Sequence, residues 1–381
     1  MNSVRTSTTF FILVAFLSCA AWQCTPTAGS NKGLQKGNAA TVRSGNTLPI
    51  KWPWRGVSIE SRYTRPDEIP YLASTGLNFI RIQIKSDKRA LRENSPAQSS
   101  FQAELLWVDS ILDAIRFAGI TSMIAFNNPV LDPNSKIDKT TASFWKSGTE
   151  LDSAQRLFNQ IIKRYKNKGE ELAAYEFMSE PVIRSAAGGI NPPGLETFSG
   201  RILDNLRAVD TTRWMLLSTG PWGKPTNYEG FKPYAFRDSK VFYGAHMYLP
   251  DAYTHQGVRD RPLGVSYPGI IRGERWDARR LAQSLRALRS FSEKNGYPVF
   301  IGEFQAVRWA PNADLWVKDV STLFEDYGWS WAYFAYGAGQ HFWDPFYNHK
   351  IGGKEKNLKY VGPETPVWKF MCTQFDKNRQ P

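Results

Sequence analysis

The chain has 381 residues, of which 42% are hydrophobic and 22% charged, the balance of an ordinary globular protein. Its net charge of +13 raises nucleic acid as a partner, but the lysines and arginines are scattered and no nucleic-acid motif accompanies them. The charge suits an anionic cell surface or an acidic polysaccharide instead, and the spacing of the three cysteines, Cys19, Cys24 and the remote Cys372, excludes a zinc cluster.

In chain order the first element is an export signal. Arg5 precedes an apolar run at residues 10–17 that is too short to span a bilayer, and Ser18-Cys19-Ala20-Ala21 offers a small-residue cleavage site. Residues 1–21 are read as a signal peptide, so the protein is expected to be secreted or periplasmic. Leu17-Ser18-Cys19 also loosely matches a bacterial lipoprotein cleavage site, although Phe16 fits it poorly, and a membrane anchor is expected only if Cys19 is lipidated. Residues 22–50 read as a flexible tether, because the stretch 25–47 has no aromatic residue and cannot bury a core. The folded domain is expected over 51–381, opening near Lys51-Trp52-Pro53-Trp54, with no further linker.

Beyond Trp54, eight short apolar runs at 54–59, 77–84, 120–126, 172–178, 214–218, 241–246, 299–302 and 329–335 read as strands. Amphipathic stripes fall between them: Val108, Ile111, Leu112 and Ile115; Leu157, Phe158, Ile161, Ile162 and Tyr165; Leu281, Leu285 and Leu288; Trp316, Val317, Val320, Leu323 and Phe324. Gly76, Gly119, Gly296 and Gly328 stand where a helix would end before the next strand. Eight strands alternating with helices predict an α/β fold, a single (β/α)8 TIM barrel. The helix after the fifth strand is the weakest of the set.

A barrel of this kind carries its chemistry at the C-terminal ends of its strands. Those ends offer Arg81, Asn127 and Asn128, Ser179 and Glu180, His246 and Tyr248, Glu303, and the aromatic run 331–336. Two carboxylates facing each other across a cleft can break a glycosidic bond: one protonates the leaving oxygen while the other attacks the sugar carbon or activates water. Glu180 and Glu303 are the candidates. An aromatic content of 14% also suits sugar binding, since rings stack on the apolar faces of pyranoses, although most of these rings are expected to fill the core. Trp222, Trp309, Trp343 and Tyr253 lie in loops following strands, where stacking on a sugar and anchoring of the loop are both open readings. Ser179 lacks a nucleophile elbow and an Asp–His set. The four histidines, His246, His255, His341 and His349, lack metal-ligand spacing, so neither metal nor cofactor is expected.

The order Arg81, Glu180-Pro181, His246-x-Tyr248, Gly302-Glu303-Phe304 and an aromatic eighth strand resembles glycoside hydrolase family 5, the cellulase-like retaining glycosidases. Thr254-His255-Gln256-Gly257-Val258 and Phe304-x-Ala306-x-Arg308-Trp309-Ala310-Pro311 resemble one bacterial branch of it. The resemblance implies Glu180 as acid/base, Glu303 as nucleophile, Arg81 and Tyr248 beside the nucleophile, and His246 beside the acid/base. Three positions depart from the family pattern. Ser179 replaces an asparagine, Asn127 stands where a histidine is usual, and Phe334 aligns with a platform tryptophan, with Trp331 close in sequence. The implied activity is retaining hydrolysis of a β-linked, β-1,4-glucan-type polysaccharide or oligosaccharide by a monomer. A carbohydrate-binding protein on a decayed scaffold and a transglycosylase are the alternatives.

Overall fold

The computed structural model describes residues 48–129, 138–186, 188–236, 238–337, 342–347 and 360–379. The signal expected for residues 1–21, all but residues 48–50 of the tether expected for 22–50, and His341 and His349 lie outside the described residues. Eight parallel strands close into a barrel in sequential order. They are β1 (Arg55–Glu60), β2 (Phe79–Ile84), β3 (Thr121–Phe126), β4 (Ala174–Phe177), β5 (Trp214–Ser218), β6 (Val241–Met247), β7 (Val299–Phe304) and β8 (Ser330–Tyr333). Each overlaps the apolar run that predicted it.

Among the described residues, the helices that pack outside include α1 (Ile69–Ser74), α2 (Ala97–Ala118), α3 (Gly148–Tyr165), α4 (Leu195–Arg207), α5 (Ala278–Asn295), α6 (Ala313–Asp326) and α7 (Pro366–Phe375). The stripes named above are their buried faces, apart from Leu323, which is only partly buried. Gly76, Gly119, Gly296 and Gly328 all have positive φ, as a left-handed helix end requires. Between β5 and β6 a single 3-10 turn, Pro225–Tyr228, stands in place of a helix. That explains the missing stripe: four residues cannot develop a 3.6-residue periodicity.

Alternation along the strands decides what enters the barrel. At its N-terminal end the interior holds Trp54, Phe79, Met123, Trp214, Phe242 and Phe300 as one apolar cluster, with Trp54 and Phe79 stacked at 4.6 Å. Gly56 is required in this layer, since a Cβ there would sit 1.8 Å from the Phe79 carbonyl oxygen. With one end plugged by rings, the same inward parity carries Ser58, Arg81, Glu176 and His246 toward the other end. Polar groups collect there because backbone alternation leaves them no outward option.

Candidate active site

Four strands meet at Glu303. It lies in β7, where the pairing with β6 shifts register between Ile301 and Glu303. Without that irregularity, inward parity would run Phe300, Gly302, Phe304 and put the carboxylate outside. The extra residue turns Glu303 inward, opposite His246. Gly302 is the residue that accommodates this, because a Cβ there would lie 3.0 Å from His246 Nε2.

Each oxygen of Glu303 has a donor. Arg81 Nη1 donates to Oε1 at 3.0 Å and the Tyr248 hydroxyl donates to Oε2 at 3.0 Å. Burial alone would push this carboxyl up, but the charges of His246, Arg81 and Lys85 and the Arg81 hydrogen bond hold it down to about 2. Glu303 is therefore a carboxylate at any ordinary pH. Burial pushes the Tyr248 phenol far up, and the Glu303 charge pushes it further, so it remains a donor.

Arg81 is fully buried and also donates from Nε to Glu176 Oε2 at 2.6 Å. Burial would lower this guanidinium, yet Glu176 and Glu303 raise it overall. Glu176 was not singled out from the sequence. The available signal was a carboxylate inside the apolar run 172–178, at the inward parity of β4.

Glu180 follows β4 in a turn where Met178 and Glu180 have φ of 68° and 51°, the left-handed region. Its side chain is 27% exposed, against 10% for Glu303, so both have a route to solvent. His246 Nδ1 lies 2.8 Å from Glu180 Oε1 and 3.7 Å from Glu303 Oε2. Burial would lower this imidazole, but the Glu303 charge and the Glu180 hydrogen bond raise it on balance. The nearest polar atoms of Glu180, His246 and Glu303 all lie within 4.8 Å of one another. This convergence from three strands is invisible to any local metal-ligand spacing. Both Glu303 oxygens already accept hydrogen bonds, and Arg81 supplies the balancing cation.

The remaining candidates separate. Asn127 Oδ1 accepts from the ammonium of Lys139, a buried lysine that the sequence did not single out. Ser179 is buried, and its hydroxyl has no hydrogen-bond partner among the described residues. Phe334 is at the mouth, 6.1 Å from the Trp343 ring, which lies 6.1 Å from Tyr248. Trp331 does not belong to the site. It points out of the barrel, donates from Nε1 to Glu325 Oε1 at 2.8 Å and stacks on Phe375. Parity is the reason: Ala332 and Phe334 face inward, so Trp331 cannot. Trp331→Phe is expected to cost about 1–2 kcal/mol in chemical denaturation, through the lost hydrogen bond, and to leave KM unaltered. A raised KM at unaltered stability would return the ring to the cleft.

The four loop aromatics also divide. Tyr253 donates to the Pro311 carbonyl at 2.7 Å and Trp309 to the Gln256 carbonyl at 2.8 Å; both are buried anchors. With the Val307 amide on the Thr254 carbonyl at 3.0 Å, they lock the loops after β6 and β7 together. Trp343 and Trp222 are partly exposed. Beside Phe334, a cavity of about 570 Å³ is lined by Tyr63, Tyr71, Tyr336, Phe346, Tyr347 and Tyr360, with Arg65, Asp67 and Glu68.

A closed eightfold barrel with two carboxylates converging at its C-terminal mouth defines a glycosidase-type scaffold. The chain belongs to the cellulase family, glycosyl hydrolase family 5, whose family model matches residues 39–340. Endoglucanase H of Acetivibrio thermocellus is 24% identical over 297 residues, 76% of this chain and 29% of that protein. A probable glucan 1,3-beta-glucosidase A of Neosartorya fischeri is 23% identical over 163 residues, 42% of this chain and 38% of that protein. The chain thus matches well under half the length of these relatives. An endoglucanase structure from the hyperthermophile Thermotoga maritima superposes with a TM-score of 0.63 at 18% identity, covering 84% of this chain and 96% of that one. It shares the fold.

Proposed function

We propose that this protein is a retaining β-glycoside hydrolase acting on a β-1,4-glucan-type polysaccharide or oligosaccharide, with Glu180 as acid/base and Glu303 as nucleophile. The observation that carries the proposal is the approach of the two carboxylates to within 4.8 Å in unlike surroundings. Retaining enzymes hold their carboxyl groups ~5–5.5 Å apart, whereas inverting enzymes need ~6.5–9.5 Å to admit water.

The unlike surroundings support this division of roles. Glu303, ionised and fixed by Arg81 and Tyr248, attacks the anomeric carbon and forms a glycosyl ester as the C–O bond to the leaving group breaks. Glu180, the more exposed carboxyl, gives its proton to the departing oxygen. It then takes a proton from water, whose oxygen attacks the anomeric carbon and releases Glu303. His246 holds Glu180 through Nδ1 at 2.8 Å and stands 3.7 Å from Glu303, between the two carboxyls. Trp343 offers a partly exposed ring at the mouth, backed by the buried Phe334, and the tyrosine-lined cavity beside them is placed for further sugar units. Among the described residues no helix is long and apolar enough to cross a membrane. The leader read at residues 1–21 supports an exported enzyme that meets its polymer outside the cytoplasm.

The test is covalent. An activated 2-fluoro-β-cellobioside should add one glycosyl mass to the peptide containing Glu303. Glu180→Ala should lower kcat/KM on a soluble β-glucan by about 10²–10⁴, with azide restoring turnover of an aryl cellobioside as the β-glycosyl azide. Label on another residue, or an α-azide product, would overturn the assignment.

A further inference from the structure

Lys139 is a buried cation that the scheme above leaves unused. Its backbone is fixed before the short helix Ala142–Lys146. Trp145 Nε1 donates to the Lys139 carbonyl at 2.7 Å, and the Arg184 amide donates to the Thr140 carbonyl at 2.8 Å. From that anchor the side chain runs between the ends of β3 and β4, where its ammonium donates to Asn127 Oδ1 and to the carbonyl of Ser179. Burial pushes the ammonium down to about 8; Glu180 is the foremost of the carboxylates that pull it back up, ahead of Glu303 and Glu176, and Lys85 opposes them.

The peptide it grips is the one that carries Glu180. Met178 and Glu180, flanking Ser179, both have left-handed backbones, which cost a non-glycine residue roughly 1–2 kcal/mol each. Such a turn persists only where the surroundings hold it. The Ser179 side chain does not, since its hydroxyl is buried without a partner among the described residues. The Ser179 carbonyl is held by the lysine, from the segment that follows the neighbouring strand β3.

We propose that Lys139 is a positioning residue for Glu180: it fastens the Ser179–Glu180 peptide to the end of β3 and thereby sets where the acid/base carboxyl points. The inference rests on the acid/base role proposed above. Lys139 touches no reacting atom. Its loss should therefore matter only where the departing oxygen needs a proton, because a misplaced acid slows that transfer while leaving nucleophilic attack intact.

Leaving-group dependence tests this. Lys139→Met and Asn127→Ala, which removes one of the two acceptors, are compared with wild type and Glu180→Ala on two substrates. Cellotetraose has a leaving group that needs protonation; 2,4-dinitrophenyl β-cellobioside releases a phenolate that does not. In Lys139→Met, kcat/KM should fall by about 100-fold on cellotetraose and by no more than about threefold on the aryl glycoside. Asn127→Ala should show a smaller split of the same sign. Equal losses on both substrates, or no loss on either, overturn the proposal, and Asn127→Ala decides by the same ratio if Lys139→Met does not fold. Glu180→Ala must itself show the split. If it does not, the acid/base assignment fails and this proposal falls with it; if it does and the lysine variant does not, only the lysine's role is refuted.

Discussion

Replacing Glu303 by glutamine is expected to lower kcat on a soluble β-glucan by about 10⁴–10⁶, the scale seen when a nucleophile is removed from a machine whose parts act as a unit. A loss of 10⁵ corresponds to about 7 kcal/mol of barrier. The amide cannot form the glycosyl ester, and it also removes one of the two negative charges that Arg81 balances. Arg81 would keep Glu176 at 2.6 Å but lose its second anionic partner. The Tyr248 hydroxyl would face either an oxygen that still accepts or an NH₂ that does not. The fold should survive, because glutamine has nearly the same volume. Turnover within tenfold of wild type, measured on protein with unaltered circular dichroism, would remove Glu303 from the role of nucleophile.

Arg81→Met is expected to cost about 3–5 kcal/mol in chemical denaturation, because it leaves buried carboxylates without their cation. Arg81 lies fully buried between Glu176 and Glu303 and pairs with both, at 2.6 Å and 3.0 Å. The pH dependence has a definite sign. Glu303 is held at about 2 against an ordinary value of 4.5. A depressed carboxyl contributes stability that is fully present above the ordinary value and is lost as pH falls toward 2. The gap between wild type and Arg81→Met should therefore be widest above pH 4.5 and narrow on acidification. A gap that stays constant from neutral pH down to about 3, or that widens there, would show that the arginine's contribution is packing and not charge.

The strands were legible because each is a short apolar run bounded by turn residues, and burial on both faces of a parallel barrel demands such runs. Glu180 and Glu303 were legible because a carboxylate that closes an apolar run has no place in a core. The misreadings have one origin. Trp331 was grouped with Phe334 by nearness in sequence, whereas strand alternation sends one ring into the helix layer and the other to the mouth. Glu176 and Lys139 went unmarked because a single charge in an apolar strand, or in a polar loop, carries no local pattern. Their partners are Arg81 and the Asn127–Ser179 pair, supplied by other strands.

The sequence by itself determined the alternation of strands and helices, the two acidic strand ends, and the glycines that close the helices, since each follows from local periodicity and backbone sterics. Tertiary structure alone decided that Glu303 faces inward, through one irregular residue in the β6–β7 pairing. It also decided that Arg81 is shared between two carboxylates and that a lysine reaches the peptide before Glu180. These outcomes depend on register and on distances between strands, and closing the barrel fixes both only after every strand has found its neighbour.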